Sequence, residues 1–307
     1  MKSSRLATNN PVPSSARLAT ALACAVSCLT SAGCSSDAGP QPATVSDCQG
    51  KPGQQGTQIF TIVSQGVERS FRMHVPEGYR SNKATPLAIG FHGFSRSGEQ
   101  HEQMSGMSAA ADDHGFIVAY PDGLGGAWNG GTCCTTTSDD VAFTRDLVKE
   151  VSLHYCIDQK RVFATGISNG GLFANRLGCE AADLVASVAP VASGIGVTCE
   201  PSRPIAHFAF AGSSDPLVPY SVTSLEVEQW RKLNGCADVS RQIYAQGDAS
   251  CLEWSDCLEG ASVRFCTIDG GGHTWPGSPE PLPWGKTSTD IDASAEIFDF
   301  FELHPMP

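Results

Sequence analysis

Short apolar runs that alternate with amphipathic stretches are the feature that most restricts how this chain can fold. The runs at 86–91 and 116–120 are apolar throughout, which is typical of strands covered on both faces of a sheet. Further strands are predicted at 161–167, 186–192, 206–211 and 262–268. Helices are predicted at 104–114, from a cap at Asp139-Asp140 to Leu153, and at 170–180, 223–233 and 292–303. This alternation predicts one α/β domain with a mostly parallel sheet between two layers of helices.

Two hairpins are predicted beside these elements. Segments 58–64 and 69–75 alternate between apolar and polar residues around Gln65-Gly66, which indicates an antiparallel hairpin at the N-terminal edge of the sheet. A second hairpin is predicted around Glu259-Gly260, where Cys251 and Cys266 flank the turn and can face each other across it.

The charge balance excludes some classes of partner. The 307 residues contain 20 Lys and Arg against 32 Asp and Glu, a formal net charge of −12. Nucleic-acid binding needs clustered cations, so no nucleic-acid partner is expected. A polybasic contact with anionic lipid is excluded on the same ground. No apolar run reaches 18 residues, so the sequence predicts no membrane-spanning helix.

The N-terminus has the pattern of an export signal. A polar stretch with Lys2 and Arg5 precedes an apolar segment at 18–30, which predicts a signal peptide over 1–33. Small residues then precede Cys34 and resemble the lipobox of bacterial lipoproteins, in which that cysteine carries a lipid.

Lipidation of Cys34 would be the only contact with a membrane. The alternative is ordinary cleavage after Ala32 without a lipid. The expected organisation is therefore a signal peptide, a lipid-anchored or flexible linker at 34–54, and a catalytic domain at 55–307. We expect a secreted or cell-envelope location.

The cysteine count supports an oxidising compartment. Thirteen cysteines are too many for a reduced cytosolic enzyme of this size. Removal of 1–33 and lipidation of Cys34 leave ten for pairing, whereas cleavage after Ala32 leaves an odd thiol. No C-x-x-C pair or histidine at ligand spacing occurs, so disulfides are expected and neither a metal nor a cofactor is. The ten are Cys48, Cys133, Cys134, Cys156, Cys179, Cys199, Cys236, Cys251, Cys257 and Cys266.

A nucleophile is predicted at Ser168. It lies in Gly166-Ile167-Ser168-Asn169-Gly170, which follows a predicted strand and opens a predicted helix. Such a strand-to-helix turn lifts a serine out of the sheet, and its glycines avoid collisions with the neighbouring elements. A glycine-rich loop with an incidental serine is the alternative.

The serine needs a base, and the base needs an orienting acid. Asp215 and His273 each follow a predicted strand, in the order of acid and then histidine that this topology uses. Both residues are therefore expected at the carboxyl edge of the sheet. Asp269 and Asp256 are rival acids, but they lie beside the final strand.

Two backbone donors are predicted for the oxyanion of a tetrahedral intermediate. One is the N–H of Asn169, directly after the nucleophile, and the other is the N–H of Phe94 in the His-Gly-Phe loop after strand 86–91. His92 is expected to support that loop. In the alternative interpretation Phe94 is a partly buried aromatic residue.

These motifs resemble the polyhydroxybutyrate depolymerase/feruloyl esterase family of secreted α/β-hydrolases, grouped with carbohydrate esterase family 1. The similar segments are 90–95, 120–123, 128–130, 155–171, 215–219 and 271–277. The similarity extends over about 55–304 and is most specific in His-Thr-Trp-Pro-Gly. It implies the α/β-hydrolase fold and a serine carboxylesterase whose triad matches Ser168, Asp215 and His273.

The resemblance also implies an aromatic acyl cleft. Trp275 is expected to line it, together with Trp128 and Phe94, although each residue suits a core position equally well. Aromatic walls suit a flat hydroxycinnamoyl group or an apolar hydroxyalkanoate unit. Hydroxycinnamoyl, acetyl and hydroxyalkanoate esters remain open as substrates.

Two other functions remain open at this point. A serine peptidase would use the same triad on amides, and a non-catalytic surface-binding protein would keep the fold alone. The intact triad and oxyanion loops favour the esterase.

Overall fold

The computed structural model describes Cys48 and residues 50–134, 136–280 and 282–307. The predicted signal peptide and Cys34 lie outside these residues, as does most of the predicted linker. Cys48 is buried and forms a disulfide with Cys156. Cys48, which belongs to the predicted linker, therefore packs against the domain.

One sheet of ten strands forms the centre of the domain, with the order β1-β2-β4-β3-β5-β6-β7-β10-β9-β8. Strands β3, β4 and β7 are buried throughout, which accounts for their apolar sequences. The strands are β1 Gly56–Ser64, β2 Val67–Val75, β3 Thr85–Phe91, β4 Ile117–Pro121, β5 Ile157–Ile167, β6 Ser187–Val191, β7 Ala206–Gly212, β8 Arg241–Gln246, β9 Ala249–Trp254 and β10 Val263–Ile268.

The predicted parallel centre and N-terminal hairpin are confirmed. Strands β4, β3, β5, β6, β7 and β10 pair in parallel, and β1 pairs with β2 in antiparallel orientation. The sheet also has a second antiparallel edge, formed by β8 and β9, and the sequence analysis did not predict β8. Because the residues of β8 are exposed or only half-buried, this strand lacks the hydrophobic alternation that reveals a strand.

Within the described residues, six α-helices cover the sheet, three on each face. Helices α3, α4 and α5 enclose one hydrophobic cluster, and α1, α2 and α6 enclose the other. Their bounds are α1 Gly98–Ser105, α2 Met107–His114, α3 Asp140–His154, α4 Asn169–Glu180, α5 Tyr220–Leu233 and α6 Ala293–Leu303. In the part of the chain that the structure describes, no helix is both long and apolar enough to cross a bilayer.

The single helix predicted at 104–114 is two helices in the structure. Gly106 has a φ of 65° and ends α1, and α2 begins at the next residue. Helix α1 begins earlier than predicted, after a capping box in which Ser97 and Gln100 bind each other's backbone N–H. This capping box was the sequence signal that the prediction overlooked.

The ten predicted cysteines form five disulfides. The Cys251–Cys266 pairing is confirmed, because the two residues are register partners on β9 and β10. The other bridges are Cys48–Cys156, Cys133–Cys134, Cys179–Cys199 and Cys236–Cys257. Five bridges fit a protein of an oxidising, extracellular compartment.

Candidate active site

The carboxyl ends of four parallel strands carry the predicted site residues. Ser168 follows β5, and the loop of His92 and Phe94 follows β3. Asp215 lies after β7, and His273 lies after β10. Strand order β3-β5-β6-β7-β10 brings these chain segments to one edge of the sheet, where open α/β sheets bind their ligands.

Ser168 occupies the strained turn expected of it. Its φ is 56° and its ψ is −119°, a backbone conformation that residues with a Cβ seldom adopt. The turn requires both flanking glycines, because a Cβ on Gly166 or Gly170 would lie 2.5 or 2.1 Å from the carbonyl oxygen of Phe91. Close packing of the elbow on β3 therefore explains the two glycines of the motif.

The imidazole of His273 is oriented by Asp215. Nδ1 of His273 lies 2.8 Å from Oδ2 of Asp215, and both side chains are buried. Because a carboxylate only accepts hydrogen bonds, Nδ1 of His273 carries a proton and donates it to this bond, which leaves Nε2 outside the bond. Ser168 and His273 line the same cleft.

Asp215 is held as a carboxylate. Burial by itself would raise the pKa of this carboxyl, but three hydrogen bonds outweigh burial and lower the pKa from its usual value. The bonds come from His273 and from the N–H groups of Leu217 and Val218, which lie 2.7 and 2.8 Å from Oδ1. The rival Asp269 accepts a hydrogen bond from Ser213 instead.

The two predicted oxyanion donors flank the serine. A Cβ on Gly93 would lie 3.7 Å from the Cβ of Ser168, which shows how closely the loop after β3 approaches it. Neither the N–H of Phe94 nor that of Asn169 has an acceptor in the part of the chain that the structure describes. Both N–H groups are therefore available to a ligand.

His92 holds the loop that carries Phe94. Its Nε2 accepts the N–H of Gly123 at 2.9 Å, so Nδ1 carries the proton and donates to the carbonyl of Gly93 at 2.8 Å. Burial lowers the pKa of His92, so the ring stays neutral. This geometry matches the supporting role predicted for His92.

The cleft beside Ser168 has a volume of about 150 Å³ and mostly apolar walls. Phe94, half of whose surface is exposed, stands on one side, and Trp284 lies edge-on to His273 with a ring-centre separation of 6.0 Å. The apolar lining residues are Phe94, Met104, Ile167, Leu217, Leu282 and Trp284.

The structure does not bring Trp128 and Trp275 to this cleft, contrary to the expectation. Both indoles are completely buried. Trp128 packs between Phe91 and Phe173, and Trp275 donates a hydrogen bond to Ser294. Each is a core residue, since Trp128 belongs to one hydrophobic cluster and Trp275 to the other.

Sequence reasoning missed Trp284, which is the tryptophan that lines the cleft. It lies in an irregular segment that touches the His273 loop, where the N–H of His273 donates to the carbonyl of Trp284 at 2.9 Å. Close contact requires Gly272, since a Cβ there would lie 2.2 Å from that carbonyl oxygen. The segment has no periodicity, so the sequence carried no signal for its position.

One group of potential metal ligands occurs among the described residues. His114, Asp299 and Glu302 are close together on the surface between α2 and α6. Nδ1 of His114 lies 3.7 Å from Asp299 and 3.4 Å from Glu302, which is the geometry of an ion-pair cluster. None of the three lines the cleft.

Known proteins provide an independent comparison. No protein-family model matches the sequence. Over 223 residues the chain is 37% identical to feruloyl esterase B of Piromyces equi, a match that covers 64% of this chain and 41% of that enzyme's length. Over 283 residues it is 30% identical to the putative esterase NocK of Nocardia uniformis subsp. tsuyamanensis, covering 80% of this chain and 82% of that protein. A probable feruloyl esterase C of Aspergillus terreus is 30% identical over 214 residues, or 66% of this chain and 76% of the relative.

Solved structures agree on the fold. The acetyl xylan esterase from Aspergillus awamori superposes with a TM-score of 0.61 at 16% identity, over 80% of this chain and 99% of that one. A feruloyl esterase module from Clostridium thermocellum gives a TM-score of 0.55 at 17% identity, over 86% of this chain and 93% of that one.

The solved structures show that this protein has the α/β-hydrolase fold, and its relatives show that it is a carboxylic ester hydrolase. The chain belongs to the feruloyl esterase family, whose members include the relatives from Piromyces and Aspergillus.

Proposed function

We propose that this serine carboxylesterase cleaves esters through a catalytic triad of Ser168, His273 and Asp215. The single observation that carries the proposal is the cleft shared by Ser168 and His273, with the histidine held by Asp215 at 2.8 Å. The strained backbone of Ser168 and the free N–H groups at its sides support the same assignment.

The proposed reaction has two halves. Nε2 of His273 accepts the proton of Ser168 as Oγ attacks the ester carbonyl carbon, and the oxyanion binds to the N–H groups of Phe94 and Asn169. His273 then donates the proton to the leaving alcohol, and an acyl-enzyme remains. In the second half, water attacks the acyl carbon, gives its proton to His273, and releases the acid as Ser168 recovers its proton.

We propose an aromatic acyl group of the hydroxycinnamoyl type as the preferred substrate. An apolar cavity of about 150 Å³ has room for one benzene-sized ring. Trp284 and Phe94 offer flat surfaces for it, and relatives named feruloyl esterases support this choice. Acetylated xylan and hydroxybutyrate oligomers are the competing substrates, since one relative is named a bifunctional acetylxylan esterase/xylanase.

Active-site labelling tests the triad. A fluorophosphonate probe is expected to label the wild-type protein at Ser168, whereas Ser168→Ala should be unlabelled and inactive on methyl ferulate. Labelling at another serine would overturn the assignment. Comparison of p-nitrophenyl butyrate with the matching p-nitroanilide separates an esterase from a peptidase, because only the peptidase would cleave both at similar rates.

We further propose that the protein is exported and carries a lipid on Cys34. Support comes from the small residues before Cys34 and from the ten later cysteines, which pair among themselves in five bridges. A bacterial host fed a labelled fatty acid should label the wild type and not Cys34→Ser. Release of unlabelled wild-type protein that begins at Gly33 would instead demonstrate cleavage after Ala32.

A further inference from the structure

A buried ion pair to which the reaction assigns no role lies against the loop that follows β4. Nη2 of Arg69, on β2, is 3.0 Å from Oδ1 of Asp140, the first residue of α3, and the two side chains are 3% and 0% exposed. The guanidinium carbon stands 3.8 Å from the ring centre of Phe143 and 5.8 Å from that of Trp128. Apolar residues in the place of such a pair often stabilise a protein as well as the pair does, so stability alone does not account for it.

The peptide group that joins Asp122 to Gly123 is held from both ends. Nη2 of Arg69 donates to its carbonyl oxygen at 3.2 Å, and its N–H donates to Nε2 of His92 at 2.9 Å. A carbonyl that accepts a hydrogen bond makes the N–H of the same peptide group a stronger donor, because bonds in a chain polarise one another. The cation of Arg69 therefore both fixes this peptide group and strengthens its bond to His92.

The peptide group that joins Gly93 to Phe94 continues this chain. Nδ1 of His92 donates to its carbonyl oxygen at 2.8 Å, and its N–H is the proposed oxyanion donor. The donors thus follow one another in a single direction, from Arg69 through His92 to Phe94. The chain ends in a polarised N–H, which is what a developing negative charge requires.

Asp140 is connected to the other oxyanion donor. Its Oδ2 accepts the N–H of Asn129 at 2.8 Å. The carbonyl of Trp128, which belongs to the same peptide group, accepts Nδ2 of Asn169 at 2.9 Å. Asn169 provides the second N–H for the oxyanion, so each member of the ion pair is connected to one donor.

We propose that Arg69 and Asp140 are positioning residues, which act through these peptide groups to hold the oxyanion donors of Phe94 and Asn169. Donors fixed in advance stabilise the oxyanion without moving as it forms. Because the oxyanion is present in the transition state and absent from the bound ester, loss of the pair should lower kcat rather than raise KM. This inference rests on the proposed triad and its two oxyanion donors.

Removal of both charges tests the role of the pair. Arg69→Met combined with Asp140→Asn leaves no buried charge without its partner. Displacement of the donors should lower kcat for methyl ferulate by about 10²-fold, while KM stays near its wild-type value. Steady-state kinetics of the folded double variant measures both constants.

A transition-state analogue gives a readout that a loss of stability would leave unchanged. Oγ of Ser168 adds to the carbonyl carbon of an aryl trifluoromethyl ketone, its proton passes to His273, and the oxyanion of the adduct binds to the two N–H groups. The Ki of this ketone should rise by the factor by which kcat/KM falls. The Ki of ferulate, which forms no such adduct, should stay near its wild-type value.

The ion pair of Arg264 and Glu253 supplies the matched control. Nε of Arg264 lies 2.7 Å from Oε1 of Glu253, and the guanidinium stands over Phe208 and Phe300 much as that of Arg69 stands over two rings. Neither member of this pair lines the cleft. Arg264→Met combined with Glu253→Gln should therefore keep the wild-type kcat and the wild-type Ki for the ketone.

Arg69→Lys serves if the first double variant does not fold. Lysine keeps a cation beside Asp140, but its shorter side chain should lose the contact with the carbonyl of Asp122. This variant should keep a Tm near that of the wild type and lose kcat by about tenfold, again without a rise in KM.

The outcomes distinguish the positioning role from the proposed function. An unchanged kcat in the folded double variant, or in Arg69→Lys where only that variant folds, would overturn the role of the pair and leave the triad intact. A constant Ki for the ketone while kcat falls, or an equal loss of kcat in the control pair, would do the same. Hydrolysis of methyl ferulate by Ser168→Ala would instead overturn the proposed function.

Discussion

The backbone of Trp128 binds the side chain of Asn169 from both sides. The N–H of Trp128 donates to Oδ1 at 2.7 Å, and Nδ2 donates to the carbonyl of Trp128 at 2.9 Å. Asn169 directly follows the proposed nucleophile, so this clamp connects the loop after β4 to the elbow after β5. The role of Trp128 at the site is therefore one of support, through its backbone.

Asn169→Ala is expected to weaken both the fold and catalysis. Loss of the clamp leaves the buried N–H of Trp128 unpaired, at a cost of about 1–3 kcal/mol in the free energy of unfolding. Displacement of the Asn169 N–H should also lower kcat by about 10²-fold. Denaturation and ester hydrolysis measure the two effects.

Asn234 supplies the matched control. It clamps the backbone of Ile205 in the same way, at 2.9 and 2.7 Å, and it does not line the cleft. Asn234→Ala should therefore lose a similar amount of stability while kcat stays unchanged. An equal loss of kcat in both variants would refute a specific role for Asn169.

Asp215→Asn is expected to lower kcat by about 10⁴-fold, because the amide no longer stabilises the histidine tautomer with a free Nε2.

The same variant should change how the stability depends on pH. The pKa of Asp215 is lowered in the folded protein, so its carboxylate stabilises the fold above the unfolded pKa of about 3.9. This contribution disappears as the pH falls through the pKa of the folded protein. Below about pH 4, the stability of the variant should therefore fall less steeply than that of the wild type. Asp269→Asn should behave as the wild type in both assays, and inactivation of this variant alone would transfer the role to Asp269.

Replacement of Ser168 by glycine is expected to stabilise the protein relative to Ser168→Ala. A backbone at a φ of 56° and a ψ of −119° costs a residue with a Cβ about 1–3 kcal/mol, which exceeds the cost of about 0.5–1 kcal/mol for glycine flexibility in the unfolded chain. Denaturant titration of the two inactive variants measures the difference. In α5, Ser224→Gly should show the opposite order, less stable than Ser224→Ala by about 1 kcal/mol. The same order at both positions would argue against strain at Ser168.

Removal of the Trp284 indole should weaken substrate binding, whereas removal of the Trp275 indole should lower the stability of the fold. Trp284→Ala is expected to raise KM for methyl ferulate about tenfold with little change in Tm, because the indole lines the cleft and is only half-buried. Trp275→Ala should instead cost about 3–5 kcal/mol of stability, since the indole is completely buried. A rise in KM for Trp275→Ala without a loss of stability would restore its predicted place in the cleft.

Each disulfide should raise the free energy of unfolding by an amount that grows with the length of the loop it closes. Cys48 and Cys156 are separated by 108 residues, so alanine at both positions is expected to cost about 4–5 kcal/mol in the chain-entropy description. Cys133 and Cys134 are adjacent and close no loop, so the matching double variant should differ from the wild type by less than about 1 kcal/mol. Urea denaturation of the two double variants compares them, and equal losses would contradict the entropic account.

The amino-acid sequence by itself determined the parallel sheet and the positions of Ser168, Asp215 and His273 along it. Uninterrupted apolar runs of this length are typical of strands that are covered on both faces, and the glycines around Ser168 permit the tight turn between a strand and a helix. Because parallel strands end at one edge of the sheet, residues that directly follow these strands lie along that edge.

Only the tertiary structure decided which aromatic residues face the substrate. Trp128, Trp275 and Trp284 all follow glycine-rich or proline-rich segments, and nothing local separates them. Their burial depends on packing between distant loops and helices, such as the contact of Trp275 with Ser294 on α6.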